Sequence, residues 1–223
     1  MSAAHHDSMA ASETTAASVH GAEYNPGAFV RTERCGARSG GGYDTGCWTS
    51  VTNATAEHLD EAKKHHQMAA DHRAASQALR DAEARACVGL PDLDRDMSPF
   101  EHCEDIASVD PLVTAGSGKA STSRMMGATV VFRAVPGMTA PWLQRVVDCH
   151  LARNAALGHD VPEMPYCPLV PKDVSAHVAE TNAGFAVAVR SDDSDAAREV
   201  LRRAHALVTA CPRAKQPSAA PPN

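Results

Sequence analysis

The stretch "ATVVFRAVPGMTAPWLQRVVDCHLARNAALG", residues 128–158, decides the fold of the second half of the chain. It begins with a β-branched run that is typical of a buried strand, and "PGMT" then predicts a turn. Thr139 can cap the helix that follows, Pro141 suits its first turn, and Gly158 is a residue type that ends helices. The stretch therefore predicts one strand followed by one helix.

The residues after this helix continue the alternation of strands and helices. The loop "HDVPEMPYCPLVPKD" leads to "VSAHVAET" and "FAVAVRS", two strand-like runs joined by the hairpin signal "NAG". "DSDAAREVLRRAHALV" is then an amphipathic helix with acidic residues at its start. The order strand, helix, strand, strand, helix predicts a ferredoxin-like split βαβ domain over residues 127–210, without an obvious last strand.

This domain resembles the heavy-metal-associated domains of copper and mercury transport over residues 128–208. The resemblance rests on the order of the elements and on Gly137, Met138 and Thr139, which lie between the first strand and the first helix. That family carries a CxxC motif at the mouth of the helix, whereas this chain has Ala140 and Leu143 in place of the cysteines. The resemblance therefore implies the fold without the family's metal ligands.

The first half of the chain is dominated by one long helical pattern. From Thr55, strong helix formers run without glycine or proline to Gly89, which predicts a helix about 32 residues and 48 Å long. We expect a short companion helix in "SPFEHCEDI" after Ser98 and a solvated turn at "DLDRD", so that residues 55–112 form one helical segment. The alanines of the long helix leave a slim face that could pack closely on another element: 62, 69, 75, 78, 82 and 86.

The remaining segments have loop-like compositions. Residues 1–54 are rich in Ala, Ser, Thr and Gly and predict a flexible arm and Gly-rich loop that add nothing to a core. Residues 113–126 predict a linker, and residues 211–223 a disordered Pro-rich tail. The predicted fold class is α+β, with a long N-terminal helical segment and a small ferredoxin-like split βαβ domain.

Charge and hydropathy exclude some partners. The formal net charge is −6, which is the wrong sign for a general binder of nucleic acid. No apolar run approaches the roughly 18–20 residues needed to span a bilayer, so we expect no membrane span. The N-terminus also lacks the basic and apolar regions of an export signal, which fits either a cytosolic protein or one whose signal has been removed.

The seven cysteines favour an oxidising compartment. They contain no CxxC pair, and their odd number leaves at least one thiol unpaired. Cys35 and Cys47 bracket the Gly-rich loop "GARSGGGYDTG", which predicts a disulfide that closes the loop. We therefore expect a periplasmic or secreted protein, with the cytoplasm as the alternative.

The long helix carries the first candidate metal ligands within "EHLDEAKKHHQMAADHRAAS", residues 57–76. His58, His65 and His72 are seven residues apart, about 10.5 Å along the axis between neighbours, which is too far for two of them to share one ion unaided. Met68 lies one turn from both His65 and His72. Imidazole with thioether suits copper, and imidazole alone suits zinc. The alternative is an ordinary amphipathic helix with solvated or half-buried histidines.

The N-terminal arm offers a second set of ligands. "HHDSM" contains His5, His6 and Met9 on a segment expected to be mobile, and His20 follows. Mobile His and Met residues can capture ions without opening a fold. Accidental histidines on an unstructured tail are the alternative.

A third set lies around the first helix of the predicted ferredoxin-like domain. Cys149 on the helix and Cys167 on the following loop could converge as a disulfide, which we favour. They could instead be thiolate ligands together with Met164, or unrelated buried thiols.

These patterns favour a binding protein and leave an enzyme as a third possibility. The sequence has no GxSxG, no P-loop, no dinucleotide fingerprint and no HExxH motif. We expect a soluble protein that binds metal ions, copper first and zinc second, as a carrier or in metal resistance outside the cytoplasm. The alternative is a scaffold module that docks a protein partner through its long Ala-rich helix.

Overall fold

The computed structural model describes residues 1–37, 45–114 and 123–210. These residues form five α-helices and two antiparallel sheets, which confirms the predicted α+β class. No helix within the described ranges has the length and apolarity to cross a bilayer. The elements in chain order are α1 (Ala3–Glu23), β1 (Phe29–Ala37), β2 (Thr45–Asn53), α2 (Ala56–Ala86), α3 (Asp92–Asp96), β3 (Ile106–Thr114), β4 (Arg124–Arg133), α4 (Ala140–Ala156), β5 (Val174–Thr181), β6 (Gly184–Ser191) and α5 (Ser194–Ala210).

The chain divides into two compact units. We call Ala4–Ser76 the hairpin unit, which holds α1, β1, β2 and the first two thirds of α2. The sheet unit consists of Met1–Ala3 together with Gln77–Asn223, and it holds the four-stranded sheet with α3, α4 and α5. The predicted long helix is confirmed, because α2 has 31 residues.

In the hairpin unit, α1 and α2 run antiparallel. Residues at the start of α1 contact residues late in α2, as His6 does with His72, and His20 near the end of α1 contacts His58 at the start of α2. The strands β1 and β2 pair in the connection between the helices. Cys35 lies opposite Cys47 in this pairing and forms the predicted disulfide with it. Residues 38–44 of the Gly-rich loop lie outside the described residues.

The prediction of a flexible arm over residues 1–54 is wrong for the described residues. Ala10 and Ala17 of α1 are buried, as are Ala62 and Ala69 of α2, so the arm contributes to the interior of its unit. A composition rich in alanine resembles low complexity, but alanine has the highest helix propensity. Its small side chain can also be buried where two helices pack, and this burial favours a helix over a flexible arm in α1.

In the sheet unit, the strand order is β3-β4-β6-β5 and every neighbouring pair is antiparallel. β4 and β5 are thus parallel to each other and lie on either side of β6, with α4 connecting them. This is the predicted ferredoxin-like split βαβ arrangement. The predicted hairpin is confirmed by the pairing of β5 with β6, in which Thr181 lies opposite Gly184.

The fourth strand of the sheet, which the sequence did not predict, precedes this arrangement in the chain. β3 lies on the outer side of β4, so the sheet begins at Ile106 and the prediction of a helical segment to residue 112 and a linker from 113 is wrong. Pro111 weakens the strand signal, yet proline is tolerated on an edge strand such as β3. Residues 115–122 of the predicted linker and 211–223 of the predicted tail lie outside the described residues.

The short companion helix was also predicted in the wrong place. "DLDRD" forms the one-turn helix α3 rather than a solvated turn, and "SPFEHCEDI" contains only a 3₁₀ turn at Cys103–Asp105. The capping prediction for α4 is confirmed, because the Thr139 side chain accepts a hydrogen bond from the backbone N–H of Trp142 at 3.3 Å.

One hydrophobic core holds the sheet unit together. Val130 of β4 lies opposite Val187 of β6 at the centre of the sheet, and both side chains are fully buried. The strands alternate between buried and less buried positions because successive side chains point to opposite faces. The helices cover the buried face with Leu143 and Val147 of α4 and Val200, Ala204 and Leu207 of α5.

Candidate metal centre

The two helices of the hairpin unit carry titratable side chains at matching seven-residue intervals. On α1 these are His6, Glu13 and His20, and on α2 they are His58, His65 and His72. Because the helices are antiparallel, the six residues meet as three pairs, which we call the histidine seam. The pairs are His6 with His72, Glu13 with His65, and His20 with His58.

The sequence places the seam residues beside the buried face of each helix. Residues four apart lie on the same side of a helix, and a repeat of seven keeps one stripe facing a partner helix. Each seam residue except His20 is followed four residues later by a small buried residue: Ala10, Ala17, Ala62, Ala69 and Ser76. The small residues let the helices approach, and this approach brings the seam side chains into contact.

One pair of the seam gains a third ligand. The Glu23 Oε2 atom lies 2.9 Å from His58 Nδ1 and 3.4 Å from His20 Nδ1, and the two Nδ1 atoms are 3.4 Å apart. Three ligand atoms bound to one tetrahedral ion at about 2.0–2.1 Å lie roughly 3.3 Å from one another. His20, Glu23 and His58 thus already form a triangle of the size that a zinc-like ion requires.

The triangle is open to solvent. The side chains of His20, His58 and Glu23 are 30%, 40% and 49% exposed. Two imidazoles and one carboxylate leave a fourth position of a tetrahedral ion for water or an incoming ligand, as in metal sites with an open position. The exposed side chains therefore leave the triangle accessible from solvent.

The middle pair is more protected and touches the triangle. His65 Nδ1 lies 2.5 Å from Glu13 Oε2, and these side chains are only 22% and 17% exposed. The rings of His20 and His65 stack with their centroids 5.4 Å apart and an interplanar angle of 8°. His20 therefore joins the triangle to the middle pair, and the seam is continuous over these two pairs.

The third pair consists of two histidines. His6 Nδ1 and His72 Nδ1 are 3.0 Å apart, so one ring must donate a proton and the other must accept it. Burial lowers the pKa of His6, and the nearby His72 lowers it further. This pair is therefore arranged to hold a single proton or to bind an ion through two nitrogen atoms.

The predicted ligands of the first half have different outcomes. His58, His65 and His72 lie in three separate pairs, each with a partner on α1. Met68 is half-buried on α2 between His65 and His72, and its ligation of an ion stays a prediction. His5 and Met9 lie on helix α1 rather than on a mobile arm. The side chain of His5 is exposed and that of Met9 is half-buried.

The predicted soft site in the second half is wrong. Cys149 forms a disulfide with Cys87, so it neither bridges to Cys167 nor offers a thiolate. Cys167 is a buried free thiol, and burial raises its pKa, which disfavours the thiolate that a metal would need. Met164 packs against the hydrophobic core. Cys87 and Cys149 are 62 residues apart, and sequence spacing gives no sign that they meet.

Sequence reasoning missed both carboxylates of the site. Glu13, His20 and Glu23 all lie in the segment whose composition predicts a flexible arm. A signal was present, because His6, Glu13 and His20 repeat at the same interval as the histidines of α2. Comparisons with protein-family models, curated proteins and solved structures found no match for this chain.

Proposed function

We propose that the hairpin unit binds one divalent transition-metal ion at His20, Glu23 and His58. The observation that supports this most is the size of the triangle, whose sides of 2.9, 3.4 and 3.4 Å fit the ligand separation around a single tetrahedral ion. The three atoms come from two helices that both bury small residues in the hairpin unit. Binding would then need little rearrangement.

The donor atoms favour Cu²⁺ and Zn²⁺ over Cu⁺. Two nitrogens and one oxygen form a borderline ligand set, whereas Cu⁺ prefers sulfur. Divalent ions bind such a set in an order that peaks at copper, so we expect Cu²⁺ to bind more tightly than Zn²⁺. The role that fits an exposed site is a carrier or a resistance protein, because an ion there can be passed on.

The proposed location of this activity is outside the cytoplasm. The disulfides Cys35–Cys47 and Cys87–Cys149 support it, since such bonds persist in oxidising compartments. A metal-binding protein in the periplasm or outside the cell would meet incoming ions before they cross a membrane.

Metal competition tests the proposal. The purified protein is titrated with Zn²⁺, and separately with Cu²⁺, against a chromophoric chelator of known affinity at pH 7.5. We expect one site per chain that weakens at least about 100-fold in His58→Ala, since loss of even an outer partner of a metal ligand costs about 10- to 100-fold. Glu23→Gln should also weaken it, because the amide carries no charge.

His66→Ala is the matched control. His66 lies on α2 beside the seam residue His65 but is exposed. It should keep wild-type affinity, and circular dichroism should show equal helix content in both variants. Equal affinity of His58→Ala and wild type would overturn the proposal, and so would an equal loss in both histidine variants.

Two other expectations stay predictions. Docking of a protein partner on the alanine face of α2 is less favoured, because Ala62 and Ala69 are already buried within the hairpin unit. Kinship with heavy-metal-associated domains adds no ligand to the proposed site. Leu143, at the place of one of that family's cysteines, is buried in the core of the sheet unit.

A further inference from the structure

The sheet unit contains a cavity that has no part in the metal site. Its volume is about 260 Å³, slightly below the roughly 300–1,000 Å³ range of small-molecule pockets, so only a small ligand would fit. Its floor consists of Phe132 from β4 and of Leu143 and Val146 from α4, all fully buried. The cavity is therefore a depression in the core, and its floor is rigid because it belongs to the sheet and its covering helix.

The walls of the cavity are apolar and polarisable. Trp142, at the start of α4, is half-buried and lines the cavity, together with the thioethers of Met97 and Met138. An aromatic face attracts organic cations through its quadrupole, with tryptophan the strongest of the side chains. Methionine adapts its shape to irregular apolar groups. These walls suit a ligand with an apolar body.

The rim carries negative charge. Asp94, Glu101 and Asp105 line the cavity, and no lysine or arginine does. His102 is the one basic lining residue, and its Nδ1 lies 3.3 Å from the Glu104 carboxylate. The Tyr166 hydroxyl donates a hydrogen bond to Glu101, which fixes the position of that carboxylate. The field at the entrance therefore favours a cation and opposes an anion.

We propose that this cavity binds a small organic cation, such as an aromatic or alkyl ammonium compound of about ten non-hydrogen atoms. The apolar body would lie against Trp142 and Met138, and the ammonium group would lie at the rim near Asp105 and Glu101. The charge of the rim would not strengthen the binding of a neutral ligand, and the apolar floor would not strengthen the binding of a metal ion.

A titration with matched probes tests this site. Trp48→Phe leaves Trp142 as the single tryptophan, so its fluorescence reports binding. The cationic probe is benzyltrimethylammonium, and the anionic probe of similar size is phenylmethanesulfonate. We expect saturable binding of the cation and at least about tenfold weaker binding of the anion at 50 mM salt, because the acidic rim attracts the cation and repels the anion. A tenfold ratio of affinities corresponds to about 1.4 kcal/mol of binding free energy.

Variants identify the location of the binding. In the same background, Asp105→Asn combined with Glu101→Gln should weaken binding of the cation several-fold, whereas Glu180→Gln, at an exposed position of β5, should leave it unchanged. Trp142→Leu should also weaken binding of the cation. This variant has no tryptophan in the same background, so nuclear magnetic resonance measures its affinity. Equal binding of both probes, or an equal effect of the rim and control variants, would overturn the proposal. Addition of Zn²⁺ at the other site does not enter these outcomes, so the two proposals are tested separately.

Discussion

His6 of α1 and His72 of α2 face each other in the hairpin unit with their Nδ1 atoms 3.0 Å apart. Two charged imidazoles at this distance would repel, so the contact exists only while at least one ring is neutral. The first consequence is a dependence of the hairpin unit on pH.

The hairpin unit should lose stability in acid. Burial, followed by the charge of His72, lowers the pKa of His6 below its ordinary value of 6.5, while Asp7 acts in the opposite sense. The unfolded chain then binds the proton more readily than the folded one, so the stabilisation is complete above about pH 6.5 and is lost as the pH falls through the folded pKa. Amide hydrogen exchange in α1 at pH 7.5 and pH 5 should show weaker protection at pH 5.

Neutral replacements should remove part of this dependence. His6→Gln combined with His72→Gln should reduce the difference in protection between the two pH values, whereas His66→Gln should not. His66 is the suitable control because it is exposed on the same helix. An unchanged difference in the double variant would contradict the assignment to this pair.

The buried position of Ala69 on α2 should not tolerate a larger side chain. This residue is fully buried, so Ala69→Leu forces the helices apart and should reduce the free energy of unfolding by about 1–3 kcal/mol. Ala70→Leu places the same side chain on the exposed side of α2 and should change it by less than about 0.5 kcal/mol. Urea unfolding followed by circular dichroism measures both. The proposed metal affinity should fall in the Ala69 variant alone.

The Cys87–Cys149 disulfide should contribute strongly to the sheet unit. Its residues are 62 apart, and closing a loop of that length corresponds to about 4 kcal/mol in the chain-entropy estimate. Replacing both cysteines by serine should lower the free energy of unfolding by about 2–5 kcal/mol. Replacing Cys35 and Cys47 should have little effect on the sheet unit, since those residues belong to β1 and β2. If the two double replacements lowered the thermal stability of the sheet unit equally, the prediction would be contradicted.

Gln144 should hold α4 on the edge strand β5. Its side-chain oxygen accepts a hydrogen bond from the Val178 backbone N–H at 2.7 Å, and its nitrogen donates to the Ala176 carbonyl at 3.3 Å. Gln144→Ala should lower the free energy of unfolding by about 1–3 kcal/mol, because the Val178 N–H loses its partner. Gln144→Met keeps the length of the side chain without the oxygen. If methionine restored full stability, packing rather than hydrogen bonding would be the cause.

Local chemistry was enough to predict several elements. The long helix from Thr55, the cap at Thr139 and the hairpin of β5 and β6 depend on propensities and on hydrogen bonds between residues close in the chain. The Cys35–Cys47 bond was predicted for the same reason, because the loop between them is short. Each of these features depends on residues that are close to it in the chain.

The amino-acid sequence by itself determined the α+β class and the seven-residue interval of the histidines. Only the tertiary structure decided that residues 3–23 form a helix, that β3 completes the sheet and that Cys149 pairs with Cys87. The physical reason is that these outcomes depend on partners far away in the chain. The alanines of α1 become buried, and a histidine of α2 gains a neighbouring carboxylate, only when the two helices pack against each other.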